Sequence, residues 1–170
     1  MVELLHPVAG EPTAIFERAP RSIEIHELHP REVAVVRVEV PAAEMPKAFG
    51  EAIGEVESRM AEAGVEVAGP PFARYLGFGP VITAEIGCPV WRAAPHVGRV
   101  YPAQLPGGRV ASILHVGPYE ALAQTYEVLE AWLADVGAKA SGPMWEVYWS
   151  DPGAEPDPAM WRTEMLVPLD

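Results

Sequence analysis

The chain repeats one order of features twice, about seventy-five residues apart, and this duplication limits its possible folds more than any other property. The first copy reads as a strand over Glu32 to Val38, a helix from about Glu44 to Ala63, the segment Gly69-Pro70-Pro71-Phe72-Ala73-Arg74-Tyr75, and a strand ending Thr83-Ala84-Glu85-Ile86 before Pro89. The second reads as a strand over Arg109 to Val116, a helix from about Tyr119 to Val136, the segment Gly142-Pro143-Met144-Trp145-Glu146-Val147-Tyr148, and a strand Arg162-Thr163-Glu164-Met165 before Pro168. Two copies cannot form a solenoid, because a stacked array needs about three units to bury a continuous core. The pattern predicts an α+β fold of two fused βαββ halves. They are related by a pseudo-two-fold axis, with antiparallel sheets and a groove between the halves.

The halves span about 22–90 and about 106–170 as one domain, and residues 1–21, broken by Pro7, Gly10, Pro12 and Pro20, read as an N-terminal arm. A chain of 170 residues with 49% apolar content suffices for a single core, burying roughly two-thirds of its unfolded surface. The formal charge of -12 argues against direct nucleic-acid binding, which needs clustered Lys and Arg, and favours cationic or neutral partners. The start of the chain lacks the pattern of a signal peptide, no apolar run is long enough to cross a bilayer, and Cys88 has no second cysteine to pair with. Cytoplasmic localisation is the expectation, and oligomeric state is left open.

Helical periodicity is strong. Met45, Phe49, Ala52, Ile53, Val56, Met60 and Ala63 recur at spacings of three and four, with Gly64 as the stop. Leu122, Tyr126, Leu129, Trp132, Leu133 and Val136 form the equivalent stripe, opened by Pro118 and closed by Gly137. Residues 22–28 alternate apolar and polar, as a strand does. Residues 87–108, with Trp91, His96 and Tyr101, read as a linker between the halves, and the proline-rich run 150–159 reads as a surface loop and candidate lid.

Side chains alternate across a sheet, so Glu146 and Tyr148 share one face while Trp145 and Val147 share the other. Phe72 and Trp145 are expected in the core, packed against the helices. Tyr75 takes the place of Tyr148 in the first copy, which predicts a carboxylate among phenols. Such a site suits an organic cation, held by charge and by cation–π attraction of roughly 0.5 to 2 kcal/mol per ring. It also suits a general acid or base, since burial shifts proton affinity. Trp91 and Trp149 are candidate walls, and Glu85 and Glu164 occupy equivalent places on the last strands. No metal or other cofactor is expected: His26 and His29, three apart on strand-like sequence, point to opposite faces with no acids to complete a ligand set. Gly77-Phe78-Gly79-Pro80 lacks the third glycine of a nucleotide fingerprint, and Cys88 has neither a nucleophile elbow nor an orienting group.

Five segments together carry a family resemblance: residues 69–75, Leu105-Pro106-Gly107-Gly108-Arg109-Val110-Ala111, His115-Val116-Gly117-Pro118-Tyr119-Glu120, Trp145-Glu146-Val147-Tyr148, and Trp161-Arg162-Thr163-Glu164. In this order they resemble the GyrI-like small-molecule-binding family, also found as the effector-binding domain of AraC- and MerR-type multidrug-responsive regulators. The resemblance covers about residues 22–170. It implies a duplicated SHS2-like fold with a ligand groove between the halves, and a stand-alone, multidrug-type binding protein for lipophilic, cationic or polyaromatic compounds. Glu146 matches the family's pocket glutamate, with Tyr148, Tyr75 and Trp161 as neighbours. Some stand-alone members hydrolyse cyclopropane-bearing electrophiles, which would make Glu146 and Tyr148 catalytic. Others act as gyrase-inhibitory protein-binding modules.

Overall fold

A computed structural model describes residues 22–170; the arm predicted over 1–21 lies outside them. The strands are β1 Ile23–Leu28, β2 Arg31–Val40, β3 Phe72–Gly77, β4 Ile82–Pro89, β5 Tyr101–Leu105, β6 Gly108–Val116, β7 Trp145–Tyr148 and β8 Arg162–Pro168. The helices are α1 Met45–Glu62 and α2 Leu122–Val136, each entered through a single 3-10 turn that follows a proline, Pro41 or Pro118. Left-handed backbone ends both, at Gly64 (φ 65°) and Gly137 (φ 66°), where a side chain would be strained.

All eight strands form one antiparallel sheet in the order β1-β6-β8-β7-β3-β4-β2-β5. The halves are therefore joined edge to edge through β3 and β7, where Ala73 lies directly opposite Glu146. They are not two sheets facing across a gap. Residues 87–108 are more than a linker, since Tyr101–Leu105 adds a strand to β2. Only the strand alternation over Tyr101, Ala103 and Leu105 marked it, and Pro102 masked that signal; a proline is tolerated there because β5 is an edge strand.

The leading strands are exchanged. β1 precedes β2 in the chain but pairs with β6, and β5 precedes β6 but pairs with β2. The two crossing connections touch: a Cβ on Gly107 would stand 2.6 Å from Pro30 Cδ, so only glycine fits there.

Apolar side chains cover both faces of the sheet. On one face α1 packs Ala52, Val56 and Met60 onto Ala34, Val36, Ala84 and Ile86, while α2 packs Leu129 onto Ala111, Ile113 and Met165. Each large side chain so buried contributes roughly 1.5–3 kcal/mol. On the other face the sheet curls on itself and buries Val33, Val35, Phe72, Val110, Trp145 and Leu166 together. Phe72 and Trp145 are core residues as expected, but on the helix-free face. Strand β7 begins at Trp145, so its first side chain points into the curl and its second, Glu146, points to the helices. Val136, expected in the α2 stripe, is exposed at the helix end.

Candidate ligand-binding site

Helix α1 covers β2 and β4, and α2 covers β6. The central pair β3–β7 is left between them, and its helix-side residues are Ala73, Tyr75, Glu146 and Tyr148. Glu146 is 3% exposed and accepts hydrogen bonds from three phenols. Tyr148 donates to Oε2 at 2.6 Å and Tyr75 to the same oxygen at 3.3 Å, while Tyr126 of α2 donates to Oε1. The Tyr75 and Tyr148 hydroxyls are themselves 3.3 Å apart. One tyrosine thus comes from each half's aromatic strand, and a third comes down from the helix.

Further rings surround this centre. Phe49 of α1 meets Tyr148 edge-on at 4.8 Å, Phe78 stacks on Tyr75 at 5.3 Å, and Tyr119 meets Tyr148 edge-on at 6.1 Å. Trp161 packs on Tyr119 at 4.8 Å, its Nε1 donating to the Glu155 carbonyl. Phe78, at the β3–β4 turn, is 69% exposed despite its stack.

Burial first, and the Glu146 charge second, push the Tyr75, Tyr126, Tyr148 and Tyr119 phenols above their ordinary value. They remain neutral donors. Among the described residues no Lys, Arg or His forms an ion pair with Glu146, and no group of His, Cys, Asp and Glu could hold a metal ion.

The structure brings together Glu146, Tyr148, Tyr75 and Trp161. It separates the other candidates. Glu85 lies on the helix-free face, clamped by Arg74 (Nη2 to Oε1, 2.7 Å) and Tyr101 (2.9 Å to Oε2). Glu164 is on that face too, opposite Val147, and accepts from Trp149 Nε1 at 3.0 Å. Trp91, 71% exposed, lies beyond the far end of β4 from Tyr75. The loop 150–159 borders a recess of about 720 Å³ with Leu114, Arg162 and Glu164 on the helix-free face, away from Glu146.

Sequence reading missed Tyr126, Tyr119, Phe49 and Phe78. Tyr126 sat in the apolar stripe of α2, where a ring reads as core whether or not it carries a hydroxyl. Superposing the two copies by their proline-entered helices pairs Tyr126 with Phe49, and that contrast is the signal that could have found both.

Comparison with curated protein sequences gives no match. Among solved structures, the C-terminal domain of EcmrR is 22% identical with a TM-score of 0.78, covering 88% of this chain and 98% of that one. A hydrolase from Listeria innocua is 14% identical, TM-score 0.60, covering 92% and 96%. A protein bound to tetraphenylphosphonium is 12% identical, TM-score 0.55, covering 87% and 93%. At these identities the likeness is one of fold. A family model, the GyrI-like small molecule binding domain, matches residues 21–170. Nearly the whole chain is thus accounted for by one domain type, and the protein belongs to the GyrI-like small-molecule-binding domain family.

Proposed function

We propose that the protein binds an organic cation with an apolar, aromatic body, and that Glu146 supplies the counter-charge. The observation that carries this reading is the isolation of that carboxylate. A buried charge is ordinarily paired, because desolvation costs several kcal/mol that only a counter-ion and good hydrogen bonds recover. Glu85 obeys this rule through Arg74, whereas Glu146 has only neutral phenols. A bound cation would supply the missing charge, and the rings of Phe49, Tyr75, Tyr119, Tyr148 and Trp161 would supply faces and edges for it. The related fold bound to tetraphenylphosphonium supports the same ligand class. The Glu146 carboxylate is buried beneath its three phenols, so a ligand that touches it must displace at least one of them. Because the phenols are neutral, that exchange costs hydrogen bonds but separates no ion pair.

A hydrolytic reading has one observation in its favour: the Tyr75–Tyr148–Glu146 hydroxyl chain could relay a proton. The raised phenols weigh against it, since burial and the adjacent charge make them poorer acids than an ordinary tyrosine. Thermal unfolding of wild type and Glu146→Gln with tetraphenylphosphonium, and with polyaromatic electrophiles followed by mass spectrometry, separates the readings. Expected is stabilisation of wild type by about 2.7 kcal/mol at a hundred times Kd, most of it lost in Glu146→Gln, with every ligand recovered unchanged. A hydrated product formed only by wild type would replace binding with catalysis.

A further inference from the structure

Among the described residues, one buried side-chain polar atom has no hydrogen-bond partner within the protein: Thr163 Oγ1. Thr163 is fully buried. It lies in β8 between Tyr148 of β7 and His115 of β6, on the face turned to the helices. A buried hydroxyl left unpaired is costly, and native proteins avoid it except where the group has another task.

The neighbours explain why it is unpaired. The Tyr148 hydroxyl donates to Glu146. His115 is engaged at both ring nitrogens, with Nδ1 2.7 Å from Thr125 Oγ1 and Nε2 3.0 Å from the Pro118 carbonyl. Since a carbonyl can only accept, Nε2 carries the hydrogen. The polar side chains on the paired strands thus direct their hydrogens elsewhere, and Thr163 Oγ1 forms no hydrogen bond in the fold. The matching place in the first half, opposite Val38 on β4, is Ala84, and it packs there without a polar group.

Thr163 is also close to Glu146. Glu146 pairs with Met165, and Thr163 is two residues along the same strand and on the same face. This makes it a diagonal cross-strand neighbour, roughly 7–8 Å away between Cα atoms. We infer that Thr163 is a specificity-determining residue of the Glu146 site, offering its hydroxyl to a hydrogen-bonding group that the cationic ligand carries about one aryl ring from its charge. The preferred ligands are then aryl cations bearing a hydroxyl, amine or carbonyl, not cations with a purely hydrocarbon surface. The inference rests on the proposed cation-binding reading, and its test keeps the two apart.

Two probes differing by one oxygen suffice: tetraphenylphosphonium and (4-hydroxyphenyl)triphenylphosphonium, each titrated into wild type, Glu146→Gln and Thr163→Val. Wild type is expected to bind the hydroxylated probe about three- to tenfold more tightly, the worth of one net hydrogen bond. Thr163→Val should bind both probes with the affinity wild type shows for tetraphenylphosphonium. It should also melt about 2–4 °C higher without ligand, because the unpaired hydroxyl is gone. Equal binding of the two probes by wild type, or the same preference in Thr163→Val, overturns the role of Thr163 alone. A lower melting temperature for ligand-free Thr163→Val also overturns it, by showing that the hydroxyl is used in the fold. Failure of wild type to bind either probe, or binding that is indifferent to Glu146→Gln, overturns the underlying cation reading.

Discussion

The two halves share a scaffold and differ in what they place on its helix-facing side. In the second half Glu146, Tyr126, His115, Thr125 and Thr163 occupy positions filled in the first by Ala73, Phe49, Val38, Ala48 and Ala84. Those five first-half residues belong to or pack against an apolar core. On the helix-free face the asymmetry reverses. The first half carries the Arg74–Glu85–Tyr101 network, whereas Glu164, the equivalent of Glu85, has Val147 where Arg74 would stand. The two copies thus share a fold and differ in which face carries the buried polar groups. A site needs only one acid if the axis passes beside it, since Ala73 opposite Glu146 leaves the space a second carboxylate would contest.

The sharpest contrast is between the equivalent acids. Arg74→Met should destabilise the protein by about 3–5 kcal/mol in urea unfolding, because it strands the buried Glu85 carboxylate. Glu164→Gln, which loses only a partner for an exposed indole, should stay within about 0.5 kcal/mol of wild type. Equal costs would mean that the two faces are not built differently.

Next in size is Tyr126→Phe, which gives α2 the residue α1 already has. Removing a phenol from a charged acceptor should cost about 1.5–3 kcal/mol of stability. Affinity for an organic cation should not fall in parallel, since this donor competes with the ligand for Glu146. A parallel loss would place Tyr126 among the ligand's own contacts.

The smallest effect at neutral pH becomes visible in alkali. All five tyrosines titrate above the ordinary phenol, with Tyr101 pushed up to about 12 by burial and by Glu85. Their folded values exceed the unfolded value of 10, so the stability they contribute is complete below pH 10 and is lost above it, for Tyr101 as pH rises through about 12. Phenolate absorbance at pH 10 should be nearly absent in the folded protein and appear on unfolding. Glu146→Gln should bring part of it forward, by removing the charge while leaving the burial.

Much of this organisation could be read in the sequence, for physical reasons. Helical stripes and their glycine stops survive in any context, and the alternation of Trp145-Glu146-Val147-Tyr148 places acid and phenol on one side of the strand. Which side that was could not be read. A strand buried on both faces, as Val33-Ala34-Val35-Val36 shows, carries no polarity to mark the helices, so Phe72 and Trp145 were expected under them. The exchange of β1 and β5 was hidden because it depends on contacts across the whole chain. Glu85 and Glu164 looked like site residues by repetition, although alternation from Glu146 through the paired strands turns both to the far face. Tyr126 and Thr163 were camouflaged, one as an aromatic in an apolar stripe and the other as an ordinary strand threonine.

The central claim is that Glu146, and not its symmetry-related or repeated counterparts, holds the ligand's charge. Calorimetric titration of tetraphenylphosphonium into wild type, Glu146→Gln and Glu164→Gln tests it most directly. Expected is binding to wild type and Glu164→Gln alike, with at least tenfold weaker binding to Glu146→Gln, a difference of about 1.4 kcal/mol or more. Binding that survives Glu146→Gln and is lost in Glu164→Gln would contradict the claim and move the site to the opposite face of the sheet.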